Sequence, residues 1–256
     1  MAPDITSPAN ERIKWLVRLR ERRHREAENV FVVEGERLNA RALEAGLVPL
    51  VTFVTEGVEA DLIGEVSTVE PAALDRASYR QRSEGLIAVF PDLPRSLGTV
   101  DVADSPLLLV AESVEKPGNL GAMLRTAGAA GVDALITVGH RVDASNPNTI
   151  RASTGAFFTV PLAISDWGEL TPWLTERGIR VVAATPTGGR SLWEADLTGP
   201  LAIVVGAEDL GLGETSLALA DETVHIPQTP GPVDSLNVSV AAAVLLFEAI
   251  RQRGSG

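Results

Sequence analysis

With 256 residues, of which 45% are hydrophobic and 22% charged, the chain has the length of one large domain or two small ones and the composition of a globular protein. The absence of cysteine excludes disulfide scaffolds, thiolate metal sites and thiol nucleophiles, and the three histidines are too scattered to predict a metal centre. A net charge of −12 argues against a general nucleic-acid coat protein, and the sequence shows neither a signal peptide nor a run of about 18 apolar residues. We therefore expect a cytoplasmic protein without a membrane span.

Seven basic residues lie between Arg12 and Arg25, in a run that also contains Trp15. A single helix through this run would arrange the following cations around a narrow apolar strip: Arg12, Lys14, Arg18, Arg22 and Arg25. Such a distribution is typical of phosphate binders, and we predict RNA contacts by Arg18, Arg22 and Arg23. A solvated, salt-bridged helix face is the alternative.

Residues 30–90 alternate short apolar runs with one helical segment, in the order VFVVEG, ERLNARALEAG, LVTFVTEG and EGLIAVF. This alternation predicts a small α/β unit. The stretch 91–106 is rich in Pro, Gly, Ser and Asp and has little periodicity, as linkers do. We therefore predict a first domain over 1–92, a linker over 93–106 and a second domain over 107–256.

From Leu107 onward the apolar runs LLLVAE, ALITVG, VPLAI, VVAAT and LAIVVG are separated by helical segments. Continuous apolar strands between helices indicate a parallel sheet that is buried on both faces. The last segment, 237–253, is apolar nearly all round. A helix of this kind lies in a core or at a subunit interface.

Three polar loops follow predicted strands, where ligands bind in parallel α/β sheets. They are Asn119-Leu-Gly-Ala-Met-Leu-Arg125, then Gly206-Ala-Glu208-Asp-Leu-Gly211, then Ile226-Pro227 followed by Ser235-Leu236-Asn237. Taken singly, helix capping by Asn119, Ser235 or Asn237 and a favourable helix dipole at Glu208 explain each of them. The loops lack both a dinucleotide fingerprint and a P-loop lysine.

In this order and spacing, the three loops resemble the SpoU (TrmH-like) RNA 2′-O-ribose methyltransferases of the SPOUT superfamily. The resemblance covers about residues 107–253 and includes the segment NPNTIRASTGAFFTVPL. The N-terminal residues are similar, more loosely, to the ribosomal-protein-like substrate-recognition domain of many such enzymes. The resemblance implies an α/β fold whose C-terminal domain holds a parallel sheet and a deep trefoil knot.

The resemblance also implies S-adenosylmethionine as cofactor, no metal, and a homodimer with active sites shared between subunits. Cofactor contacts map to Thr185, Gly206, Ile226 and Leu236. The catalytic positions map to Asn119, Arg125, Glu208, Ser235 and Asn237. Arg125 is the family's central catalytic residue, and we expect it to hold a substrate phosphate and the ribose hydroxyl rather than to accept a proton, because arginine stays protonated.

The appended recognition domain favours 23S ribosomal RNA over transfer RNA as substrate, by analogy with other members of the family. Two departures from the family pattern concern the cofactor loops: Ala207 replaces a residue that is often polar, and the loop from Ile226 to Ser235 is one residue longer than usual. The alternatives are a transfer-RNA enzyme, a SPOUT-fold module that binds RNA without catalysis, and a nucleotide-dependent oxidoreductase.

Overall fold

The computed structural model describes residues 3–139, 143–229 and 235–254. Up to residue 106 the elements are α1 (Glu11–Arg18), α2 (Arg22–Glu28), β1 (Val30–Glu34), α3 (Glu36–Glu44), β2 (Val51–Val54), β3 (Glu65–Thr68), α4 (Pro71–Ala77) and β4 (Leu86–Pro91). They are followed by β5 (Leu107–Glu112), α5 (Pro117–Ala130), β6 (Ala134–Val138), α6 (Pro147–Ser153), β7 (Leu162–Ser165), α7 (Trp167–Glu176), β8 (Arg180–Ala184), β9 (Arg190–Ser191), β10 (Leu201–Val205), α8 (Glu214–Leu219), β11 (Glu222–His225) and α9 (Val238–Arg253).

The chain divides into two compact units, Met1–Leu93 with Asp143–Phe158 and Pro94–Val142 with Thr159–Gly256. The first unit contains a four-stranded sheet in the order β1-β4-β2-β3, which confirms the small α/β unit. The aromatic ring of Phe31 on β1 stacks on Phe90 at 5.4 Å and meets Phe157 edge-on at 5.3 Å. These ring contacts explain why Asp143–Phe158 joins the first unit although it lies within the predicted second domain.

The prediction of one continuous basic helix is wrong, because the run 12–25 forms two short helices, α1 and α2. Arg25 is 1% exposed and is therefore not part of a charged surface. Its guanidinium donates to the backbone carbonyls of Leu19 and Arg20, at 2.7 and 2.8 Å, and to the carboxylate of Asp143. The last carbonyls of a helix lack partners within it, and here Arg25 satisfies two such groups where α1 ends.

The second unit contains a seven-stranded sheet in the order β7-β6-β5-β10-β8-β11-β9. Every paired strand in it runs parallel to its neighbour, which confirms the predicted parallel sheet. The strand order departs from the chain order at β10, which lies between β5 and β8. Ligands in such sheets bind beyond the carboxyl ends of the strands where the order changes.

The terminal helix α9 packs against α5 and β10 within the second unit. Ala242, Leu245 and Leu246 form its buried face, whereas Val240 and Phe247 are 48% and 51% exposed. The sequence pattern does not predict β3, α4, β9 and β11, which are short. Among residues 3–139, 143–229 and 235–254, no helix combines the length and the apolar character needed to cross a bilayer.

Candidate active site

A cavity of about 360 Å³ lies beyond the carboxyl ends of β8, β10 and β11 and beside the start of α9. Its lining includes all four residues predicted to contact a cofactor: Thr185, Gly206, Ile226 and Leu236. Glu208 and Ser235, two of the predicted catalytic residues, also line it. Residues 230–234, which belong to the loop between Ile226 and Ser235 that is one residue longer than the family pattern, lie outside the described part of the chain.

The loop after β10 closes on itself at the mouth of the cavity. The backbone N–H of Gly211 donates to the carbonyl of Ala207 at 2.9 Å, and Gly211 has a φ of 67°. A Cβ atom on Gly206 would lie 2.3 Å from the carbonyl carbon of Gly211. Residue 206 is therefore glycine for a steric reason, because any side chain would strike backbone.

The far end of this loop is held by Glu112, a buried carboxylate at the end of β5. It accepts hydrogen bonds from the Gly213 N–H at 2.9 Å, the Ser216 hydroxyl at 2.6 Å and the Trp167 indole N–H at 2.8 Å. Burying a charged carboxylate costs free energy unless it is hydrogen-bonded, and these three donors offset that cost. The loop is thus anchored to the neighbouring strand.

Glu208 accepts hydrogen bonds from side chains of two other segments. Its Oε2 accepts from the Lys116 ammonium, which precedes α5, and its Oε1 accepts from the Asn237 amide at the start of α9. The Asn237 Nδ2 also lies 3.3 Å from the Asn119 Oδ1. The cluster therefore joins one residue from each of the three predicted loops, together with Lys116.

Hydrogen bonds set the charge state of this cluster. Lys116, then Asn119 and Asn237, lower the pKa of the Glu208 carboxyl against the raising effect of burial. The same ion pair raises the pKa of Lys116. At neutral pH the site accordingly contains a carboxylate and an ammonium, and neither group titrates there.

The capping explanations hold for only one of the predicted residues. Asn237 is the N-cap of α9, and its Oδ1 accepts from the Ser239 N–H at 3.0 Å while its Nδ2 reaches Glu208. Asn119 lies inside the first turn of α5 rather than at its cap, and Glu208 precedes α8 by several residues. Asn119 and Glu208 are therefore not explained by helix capping.

Arg125 does not join the cluster in the described part of the chain. It is exposed on α5, and it is absent from the residues that line the cavity. Six residues of α-helix turn the chain through about 600°, so Arg125 and Asn119 point to different sides of α5. Arg125 is therefore not among the residues that the structure brings together at this mouth, and its catalytic role stays a prediction.

The predicted RNA-binding arginines lie in the first unit. The Arg22 Nε pairs with Glu26 and the Arg23 Nη2 pairs with Glu21, both at 2.7 Å. Arg18 is in the last turn of α1. These pairs match the salt-bridged alternative, and RNA contact by the three arginines stays a prediction.

Lys116 is a site residue that none of the three predicted loops contains. One signal in the sequence could have found it. Lys116 directly precedes Pro117, where a helix begins, and a cation at a helix N-terminus is unfavourable. A lysine at this position therefore indicates that it pairs with an anion from another segment. Its partner Glu208 is 92 residues away in sequence, so the contact itself could not be read from local pattern.

Comparison with known proteins identifies the family. The model of the SpoU rRNA Methylase family matches residues 106–247, which is more than half of the chain. The chain belongs to the SpoU rRNA methylase family. The model of the MRM3-like substrate binding domain matches residues 10–88. The protein is therefore an enzyme, an RNA methyltransferase with an N-terminal substrate-binding domain.

Three relatives illustrate the similarity. The 23S rRNA (guanosine-2′-O-)-methyltransferase RlmB of Ralstonia nicotianae is 38% identical over 177 residues, 67% of this chain and 71% of that protein. A crystal structure described as an RNA 2′-O ribose methyltransferase has a TM-score of 0.85 and 42% identity, and the match covers 97% of this chain and 98% of that one. The SpoU methyltransferase AviRb from Streptomyces viridochromogenes, in complex with AdoMet, has a TM-score of 0.89 and 28% identity over 96% of this chain and 99% of that one.

Proposed function

We propose that this protein transfers a methyl group from S-adenosylmethionine to a ribose 2′-hydroxyl of 23S ribosomal RNA, on a guanosine. The observation that carries the proposal is the convergence of Asn119, Glu208 and Asn237 on one charged cluster beside the cavity. The relatives support the substrate, since one is named as a 23S rRNA guanosine-2′-O-methyltransferase, and the AdoMet complex of AviRb supports the cofactor.

The cavity fits S-adenosylmethionine. Its volume is within the range of roughly 300–1,000 Å³ that small-molecule sites have. Ile226, Leu236 and Val205 provide apolar surface for a nucleoside, and Glu208 and Ser235 provide polar groups at the edge. Because Gly206 carries no Cβ, the loop can close tightly around this space.

The residues of this chain contribute to the reaction by orienting the 2′-hydroxyl. When bound, the cofactor supplies an electrophilic methyl group on a sulfonium. Glu208, held charged by the hydrogen bonds from Lys116 and Asn237, is positioned to accept a hydrogen bond from the 2′-hydroxyl, to align its oxygen for in-line attack, and to take up the hydroxyl proton as that oxygen bonds to the methyl carbon and the methyl–sulfur bond breaks. Asn237 holds this carboxylate, and Asn119 in turn accepts from Asn237. Lys116 and Arg125 contribute positive charge, not proton acceptance.

Arg125 completes the site from a second copy of the chain. It is exposed on α5 and does not line the cavity of its own chain. Val240 and Phe247, seven residues apart, share one exposed apolar face of α9. Such a face suits the interface of a homodimer.

The remaining family features belong to the same proposal. The N-terminal domain, over 1–92, recognises the RNA and is joined by a linker over 93–106 to a knotted methyltransferase domain over 107–256, of which residues 143–158 belong to the first compact unit. A substrate in the ribosome places the enzyme in the cytoplasm.

Methyl transfer with labelled S-adenosylmethionine tests the proposal. We expect label in unmodified 23S ribosomal RNA, recovered as a 2′-O-methylated nucleotide, and none with Arg125→Ala. Arg177→Ala, on the exposed end of α7, is the matched control and retains activity. Label in transfer RNA alone would overturn the substrate, and cofactor binding without label in free RNA or ribosomal particles would favour a non-catalytic RNA-binding module.

Mixing two inactive variants tests the shared site. If Glu208 and Arg125 act from different copies, random pairing of Glu208→Gln with Arg125→Ala chains restores about one quarter of wild-type activity, because half of the dimers are mixed and each contains one intact site. No restoration, despite exchange of subunits, would show that both residues act within one chain.

A further inference from the structure

Lys116 belongs to no predicted motif, yet its ammonium binds the carboxylate at the centre of the cluster. We propose that Lys116 is a positioning residue for methyl transfer, which fixes the Glu208 carboxylate in the orientation that receives the 2′-hydroxyl. This inference rests on the proposed function.

Composition and local structure both make Lys116 unusual. The chain contains 20 arginines and only two lysines, Lys14 and Lys116. Lys116 is the N-cap of α5 and makes no side-chain capping bond there. A cation at this end of a helix opposes the helix dipole, so the helix itself gains nothing from it. The contact with Glu208 provides the compensating interaction.

The backbone holds Lys116 in a defined place. Pro117 follows it as the first residue of α5, and Lys116 has extended backbone angles, φ −77° and ψ 118°. The residue before a proline is restricted to extended backbone angles, so the Cα–Cβ bond of Lys116 has a fixed direction. Asn119 is on the same helix, three residues further on, and its Oδ1 lies 3.3 Å from the Asn237 Nδ2 that donates to Glu208.

The Lys116–Glu208 ion pair orients the carboxylate of Glu208 rather than stabilising the fold. The Lys116 side chain is 67% exposed and that of Glu208 is 21% exposed. Pairs of this exposure stabilise folds little, because solvent screens them. Glu208 nevertheless has both carboxylate oxygens occupied, Oε2 by Lys116 and Oε1 by Asn237. Removing Lys116 frees one oxygen and allows the carboxylate to rotate.

Lys116 also borders a small hollow that is separate from the cofactor cavity. The hollow is lined by Ser113, Asn119, Glu208 and Leu210 as well, and the loop residues Ala207–Leu210 line both spaces. Glu208 thus stands between the cavity and the hollow, with Lys116 on the hollow side. A ribose that enters from the hollow would meet Glu208 already aligned.

Kinetics of three variants test the proposal. We expect Lys116→Met to lower the single-turnover rate by about 10- to 100-fold, the effect of a misplacement near 1 Å, with an unchanged thermal midpoint. Lys116→Arg, which keeps a cation for Glu208, should recover most of the rate. Arg177→Ala is the control, because Arg177 lies at the end of α7, pairs there with Glu176 and should have no effect on the rate. A normal rate in Lys116→Met would overturn the proposal.

The pH profile separates positioning from a merely structural role. Lys116 lowers the pKa of Glu208, so its removal raises that pKa and moves the acid limb of the rate profile to higher pH. Lys116→Met should therefore lose activity at a pH where wild type is still fully active. An acid limb at the wild-type position would contradict the inference.

Amine chemistry gives a readout that does not need methyl transfer. Acetylation of the two lysines, followed by mass spectrometry, reports each ammonium separately. In Glu208→Gln the reactivity of Lys116 should rise several-fold, because Glu208 raises the pKa of Lys116, while that of Lys14 stays constant. An unchanged Lys116 would refute the ion pair, and this result is distinguishable from failure of the proposed function, which affects only the labelling of RNA.

Discussion

The loop after β10 allows a direct test through Gly206→Ala. The added Cβ would lie 2.3 Å from the Gly211 carbonyl carbon, 2.4 Å from its oxygen and 2.6 Å from the Leu212 nitrogen. Ordinary contact begins at 3.4 Å, so the backbone on the other side of the loop must move by 3.4 − 2.3 = 1.1 Å. Backbone cannot rotate away as a flexible side chain can, and overpacking of this kind costs about 1–3 kcal/mol.

That strain acts on the cofactor cavity because Gly206 and Gly211 both line it. We expect the affinity for S-adenosylmethionine, measured by titration calorimetry, to fall by roughly 5- to 150-fold. Gly118→Ala is the matched control: a Cβ there meets nothing within 4 Å, and affinity should not change. Wild-type affinity in a folded Gly206→Ala protein would refute the view that this loop must close tightly to form the cofactor site.

Two further predictions concern stability and RNA binding. Two hydrogen bonds from Arg251 and one from Gln252 lower the pKa of Glu248 to about 2. The contribution of Glu248 to the free energy of unfolding is therefore fully present above the usual carboxyl pKa and is lost as the pH falls toward 2. Glu248→Gln should reduce the free energy of unfolding by about 1–2 kcal/mol at pH 7, and urea titrations should show the gap to wild type narrowing below the usual carboxyl pKa and closing only as the pH approaches 2. The RNA-binding prediction is tested by replacing Arg18, Arg22 and Arg23 with glutamine. The magnitude of the slope of log K for RNA binding against log salt concentration should fall by up to about 2, and the cofactor affinity should stay unchanged. An unchanged slope would show that the three arginines form only a solvated face.

Much of the second unit could be predicted because its signals are local. The apolar run LLLVAE is β5 and LAIVVG contains β10, since continuous apolar residues between helices are typical of buried parallel strands. The N-terminal basic run shows the limit of this reasoning. Its composition favoured one charged helix, but Arg25 is buried against the carbonyls of Leu19 and Arg20.

Residues 143–158 show a second limit. Their position in the sequence places them between β6 and β7 of the second unit, yet they pack in the first, where Phe157 meets Phe31. Short strands such as β3, with one buried residue in four, carry too little pattern to be found.

By itself, the sequence determined the alternation of strands and helices, the family and the set of polar residues at the strand ends, because periodicity and turn residues are properties of neighbouring positions. Tertiary structure alone decided which of these residues meet. Glu208 is 92 residues from Lys116 and 29 from Asn237, and they come together because β10 lies beside β5 and α9 packs on both β10 and α5. The same arrangement leaves Arg125 exposed on α5 and outside the lining of the cavity, since the exposure of a side chain on a helix depends on which face the helix buries.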